Sequence, residues 1–190
     1  MRNAILIHGW NTKKEFFDPD KPTASNDHWF PWLSKQLALN GIKADAPEMP
    51  QYDLATYESW RQEVERFDIT PQTILVGHSC GSGFIIRYLS ENNIKVDRVV
   101  LVAPWLGIDF GHQFNQDFFR FKIDPDLVAR TNGVTILNSD DDFDAIHESV
   151  EIIVKNIKGI DLVHLSGRGH FTRNSLGGEA FPELLKEIRL

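Results

Sequence analysis

Cysteine is nearly absent: Cys80 stands alone among 190 residues. No internal disulfide can form and a cysteine-built zinc cage is excluded, which fits a reducing compartment, the cytoplasm. Long apolar runs are missing too. The stretch Ala4–Ile7 meets His8-Gly9 too early to be a signal-peptide core, and no run approaches the ~20 apolar residues of a membrane span. Basic excess is lacking: 20 Lys and Arg stand against 27 Asp and Glu, a formal net charge of −7. A broad electrostatic grip on nucleic acid or on an anionic membrane is therefore not expected. Repeats, low-complexity tracts and Gly/Ser linkers are absent, so residues 1–190 are expected to form a single domain. With 42% hydrophobic residues the chain can fill a sizeable core without staples.

What is present is an alternation. Short β-rich runs occur at Asn3–Ile7, Thr73–Val76, Arg98–Val102 and Val134–Leu137, with weaker ones at Ile42–Ala46 and Asp161–Leu165. Their continuous apolar character predicts strands buried on both faces, as in a parallel sheet. Helical patterns lie between them at about 29–39, 55–66, 82–92, 144–157 and 180–188. The fold class is α/β, with about six mainly parallel strands and helices on both faces, and functional groups are expected at the carboxyl ends of the strands. Two stretches resist the pattern. Asn11–Asp27 reads as a long loop after the first strand. Trp105–Phe121 carries Trp105, Phe110, Phe114, Phe118, Phe119 and Phe121; these rings either fill a satellite core or face a pocket.

Gly77-His78-Ser79-Cys80-Gly81 follows one apolar strand directly and precedes an amphipathic run. This is G-x-S-x-G in its strand–turn–helix context, where a serine on a sharp, strained turn projects from the sheet edge. Glycines two residues either side remove side chains that would clash, and the helix N-terminus behind Ser79 favours developing negative charge. A serine hydroxyl needs an imidazole to take its proton and a carboxylate to orient that imidazole. His170, in Gly167-Arg168-Gly169-His170-Phe171 after the last strand, is the candidate base. His164 falls within a strand, His147 at a helix start and His112 in the aromatic stretch, while His8 and His78 suit shaping the site. The acid is expected after Val134–Leu137, in Asn138-Ser139-Asp140-Asp141-Asp142-Phe143-Asp144. Asp142 is the first choice and Asp141 the second, because a tight turn there would use Ser139 and Asp140 on its own backbone. Two amides should form an oxyanion hole, that of Cys80 and, from the loop after the first strand, that of Trp10.

These residues are similar to a known family. Ile7-His8-Gly9-Trp10, Asp27-His28-Trp29-Phe30-Pro31-Trp32-Leu33, Ala46-Pro47-Glu48-Met49-Pro50, the Gly77–Gly81 turn and Gly169-His170-Phe171 resemble the small YdeN-type and retinoblastoma-binding serine hydrolases of the α/β-hydrolase superfamily. The resemblance implies a compact α/β-hydrolase fold with little or no cap, a Ser79–Asp142–His170 triad, and esterase- or peptidase-like activity without a cofactor. A small-molecule acyl substrate and a monomer or weak homodimer are the expectations. The chain departs from the family in lacking a proline shortly after the acid.

Other readings compete. Gly77-x-x-x-Gly81-x-Gly83 has the glycine spacing of a short-chain dehydrogenase, but it follows the third strand rather than the first and no Tyr-x-x-x-Lys pair accompanies it. Asp140-x-Asp142-x-Asp144 with Glu151 is spaced like a calcium loop, but Ala145 stands where glycine makes the sharp turn. A catalytically silent protein-binding module of the same fold is the alternative function.

Overall fold

The computed structural model describes residues 2–108 and 114–189. Among these residues six parallel strands form one sheet: β1 (Asn3–Ile7), β2 (Lys43–Asp45), β3 (Thr73–His78), β4 (Arg98–Val102), β5 (Val134–Ser139) and β6 (Asp161–Leu165), in the order β2-β1-β3-β4-β5-β6. β3, β4 and β5 are buried at every position, and β1 at all but its first. That burial on both faces is what their unbroken apolar runs require. The edge strands β2 and β6 are partly exposed, and their sequences are correspondingly more polar.

Among the described residues seven α-helices connect and cover the strands: α1 (Lys13–Phe16), α2 (Phe30–Leu39), α3 (Tyr57–Val64), α4 (Cys80–Glu91), α5 (Asp144–Asn156), α6 (Arg173–Leu176) and α7 (Pro182–Ile188). α4 is the most deeply set, with nine of its residues buried from Cys80 to Leu89. The aromatic stretch resolves mainly as a satellite core. Phe118 is fully buried against Trp60 of α3, with ring centroids 5.1 Å apart, and Phe114 stacks on Phe119. Phe110 and His112 lie outside the described residues.

β3 and β5 each run two residues past their apolar segments. The ladder continues through His78↔Val102, Asn138↔His164 and Ser139↔Leu165. Strand order reverses around β1, which lies between β2 and β3, so the carboxyl end of β3 opens beside the crevice where α/β sheets bind ligands.

Candidate active site

The turn between β3 and α4 holds Ser79 at φ 53°, ψ −118°, a conformation that L-residues avoid. Its surroundings enforce it. The Ser79 amide donates to the Val102 carbonyl at 2.9 Å, and the Ser79 carbonyl accepts from the amides of Ser82, Gly83 and Trp105. The flanking glycines are sterically required: a Cβ on Gly77 would lie 2.6 Å from the Ser82 nitrogen, and one on Gly81 only 2.2 Å from the Ile7 carbonyl oxygen. α4 can approach the end of β1 this closely only with hydrogen at position 81. Gly83 serves the same packing, since its Cβ would fall 2.1 Å from the Trp105 carbonyl oxygen. The glycine spacing that resembles a dinucleotide motif is thus accounted for by helix-to-sheet contact.

Asp142 and His170 meet. The His170 Nδ1 lies 2.8 Å from Asp142 Oδ1 and 3.2 Å from Oδ2, and the Asp142 side chain is fully buried. Asp141, the second choice, is exposed and does other work: its Oδ1 accepts from Ser139 Oγ at 2.6 Å and from the Gly169 amide at 2.7 Å. Asp140 accepts from the Gly167 amide, and Ser139 Oγ accepts from the Arg168 amide, each at 2.9 Å. The expectation that Ser139 and Asp140 would bond their own turn is therefore corrected. They reach across to the 167–169 loop, because β5 and β6 are neighbours and their following loops emerge side by side. The Ser139 hydroxyl and the Gly169 amide hold the Asp141 carboxyl below the usual range, and the Gly167 amide does so for Asp140.

Three more histidines surround the site. His78, directly before Ser79, is buried, and its Nε2–H donates to the His170 carbonyl at 2.8 Å. Burial, then the nearby His170 and His28, push its pKa well below 6.5, so the ring stays neutral and tethers the His170 loop to the turn. His8 donates from Nδ1 to the Gly9 carbonyl and accepts at Nε2 from the Met49 amide, fixing the loop after β1. Desolvation lowers its pKa as well. His28 has φ 54°, and its ring packs edge-on to His78 at 5.6 Å; sequence reasoning gave it no role of its own. The remaining candidates lie elsewhere: His164 is exposed on β6, and His147 donates to the Ser139 carbonyl.

Ser79, Cys80, Trp10, His78 and His170 all border one cavity of about 490 Å³, a size suited to a small ligand. Asp142 backs it from behind the imidazole. No hydrogen bond joins Ser79 Oγ to the His170 ring among the described residues. Cys80 opens α4, so its amide has no intrahelical partner. Its thiol is buried, and burial raises its pKa well above 9, so it stays protonated. Gly9 lets the β1 loop come close: a Cβ there would sit 3.3 Å from Ser79 Cβ. Of the aromatic stretch only Trp105 lines the cavity among the described residues. No cluster of His, Cys, Asp and Glu among them is arranged to hold a metal ion. The carboxylates of the calcium-like spacing diverge, Asp142 to His170 and Asp140 to Gly167.

A parallel sheet in this strand order, with a strained serine between β3 and the following helix, defines an α/β-hydrolase. The chain belongs to the serine hydrolase family, whose model matches residues 4–189. It is 33% identical over 106 residues to YdeN of Bacillus subtilis (strain 168), a protein named as a hydrolase. That match covers 54% of this chain and 50% of YdeN, about half the length of the curated relative. The crystal structure of the B. subtilis ydeN gene product superimposes with a TM-score of 0.80 at 22% identity, over 99% of this chain and 98% of that one. Est1E from Butyrivibrio proteoclasticus follows at 0.64 and 18%, over 98% and 88%. Both structures share the fold, and the YdeN match bears out the resemblance read from the sequence.

Proposed function

We propose that this serine hydrolase cleaves small carboxylic esters through an acyl-enzyme on Ser79. The observation that carries the reading is the 2.8 Å contact between a fully buried Asp142 carboxylate and His170 Nδ1, beside the cavity that Ser79 lines. Asp142 holds the proton on Nδ1, which leaves Nε2 as the base. In the first step Nε2 takes the Ser79 proton while Oγ attacks the carbonyl carbon. The resulting oxyanion is held by the Cys80 and Trp10 amides, each worth about 3 kcal/mol of transition-state stabilisation. His170 then protonates the leaving alcohol, and water releases the acid by the reverse steps. The Ser79–His170 hydrogen bond forms on substrate binding, as catalytic contacts often tighten only in the complex. Ser79 is pre-strained for exposure, and α4 directs its N-terminus at the charge that develops.

The test combines a fluorophosphonate label with p-nitrophenyl acetate and butyrate. Wild type is labelled and turns over both esters, whereas Ser79→Ala folds, is not labelled and is inactive. A folded wild-type protein that neither labels nor hydrolyses overturns the proposal and favours the silent binding module.

A further inference from the structure

The cavity has two chemically different walls, and the strand order separates them. Ser79 follows β3, which has β1 on one side and β4 and β5 on the other. The segments after β4 and β5 supply Trp105, Phe143, Ala145 and Ile146. Phe143 is 66% exposed, an unusual place for a large ring, and packs against the His170 imidazole at 5.4 Å. The segment after β1, together with α6, supplies Asn11, Asp27, His28, Arg173 and Asn174. Trp10, Pro22 and Ala24 also border the cavity from the β1 side.

Most charges on the polar wall are matched. Lys21 lies 3.6 Å from Glu15 and Arg173 is paired with Glu179. Asp27 Oδ1 is 3.4 Å from the His28 ring, but burial lowers that ring's pKa and its Nδ1 accepts from the Arg173 amide, so it brings no positive charge to Asp27. The wall therefore offers hydrogen-bonding groups and, from Asp27, a negative charge that disfavours an anionic ester. His28 is its centre. Its left-handed backbone is a strain that proteins retain mainly where a side chain must be aimed, and its Nδ1 lies 3.4 Å from the Arg173 amide, which ties the two segments together.

We propose, resting on the hydrolase reading above, that the cavity selects an uncharged amphiphilic ester, with a short apolar half against Trp105, Phe143, Ala145 and Ile146 and a hydroxyl-bearing half against His28 and Asn174. An ester apolar at both ends leaves the polar wall's groups desolvated and unpaired, which a hydrogen-bonding site rejects. An anionic ester meets Asp27 and Glu15 with no unmatched cation to receive it. The cavity's volume of about 490 Å³ keeps the apolar half short.

Binding to Ser79→Ala, which holds esters without turning them over, reads this selectivity directly. Glyceryl monobutyrate, butyl butyrate and butyl hemisuccinate are compared by calorimetry. The glyceryl ester is expected to bind about fivefold to tenfold more tightly than the other two, the equivalent of one or two hydrogen bonds. Adding Asn174→Leu, an exposed position that cannot disturb the core, or His28→Asn, which tolerates the left-handed backbone, brings the preference to threefold or less. Tightest binding of butyl butyrate or of the hemisuccinate overturns the inference, and so does a preference that both variants leave intact. Wild-type turnover is measured in parallel. Selective binding without hydrolysis overturns only the Ser79 mechanism, and hydrolysis without selective binding overturns only the two-walled specificity.

Discussion

Replacing Asp142 by asparagine tests the core of the site. The carboxylate is wholly buried and contacts His170 Nδ1 at 2.8 Å, with its Oδ1 also accepting from the Phe143 amide. Asparagine has the same shape, so the loop stays in place, but its amide group can donate to Nδ1 and so stabilise the tautomer that carries the proton on Nε2. That tautomer cannot accept the Ser79 proton. In the serine-protease triad the equivalent exchange costs about 10⁴-fold in kcat, and a loss of about 10³- to 10⁴-fold is expected here, or about 4–5.5 kcal/mol of barrier. Asp141→Asn is the control. It keeps an oxygen for the Ser139 hydroxyl or the Gly169 amide and does not touch the imidazole, so its loss stays below about tenfold. The assay is kcat/KM on p-nitrophenyl acetate, with a thermal melt to show that both variants fold. An Asp142→Asn protein within threefold of wild type, or an Asp141→Asn protein as impaired as Asp142→Asn, refutes the assignment.

Gly81→Ala places a Cβ 2.2 Å from the Ile7 carbonyl oxygen, a backbone atom that cannot step aside, and should cost about 3 kcal/mol or more by urea unfolding. The buried, neutral His78 has a folded pKa well below the ordinary 6.5, so the unfolded chain binds a proton that the native state refuses. Stability is therefore fully present above pH 6.5 and falls as the pH drops below it, by up to about 1.4 kcal/mol per pH unit from this ring. His78→Gln, which keeps a donor for the His170 carbonyl, should flatten that slope in urea titrations between pH 6.5 and 5. Cys80 is buried with its thiol held protonated, so iodoacetamide should leave the native protein unmodified and alkylate it only after denaturation, read by mass spectrometry.

The inner strands were legible because they are buried on both faces and announce themselves as apolar runs. β1, β4 and β6 have the bounds read from the sequence. β3 and β5 do not, because His78, Asn138 and Ser139 continue the ladder with polar side chains that the hydrophobic pattern does not count. The one-turn helices α1 and α6 carry no apolar periodicity. Each has a cap at its start, Thr12 with Glu15 and Thr172 with Ser175, and that spacing was the available signal. The serine turn was readable because its constraint is local: glycines must flank it. The contact between Asp142 and His170 spans 28 residues, and it was read by placing the acid after the fifth strand and the base after the last. His28 left no trace in any periodicity, since its place depends on how the loop after β1 folds back over the sheet.

Asp142 and His170, the proposed acid and base, follow adjoining strands and are clasped together by Ser139, Asp140 and Asp141, while Ser79, the proposed nucleophile, follows a separate, deeper strand. The machinery is thus split between an inner half, locked by the whole core, and an outer half at the partly exposed margin of the sheet. Fraying begins at margins, so loosening of β6 would carry the imidazole away from a serine that has not moved. Heat inactivation of the proposed hydrolysis would then report the detachment of one edge, well before the molecule melts.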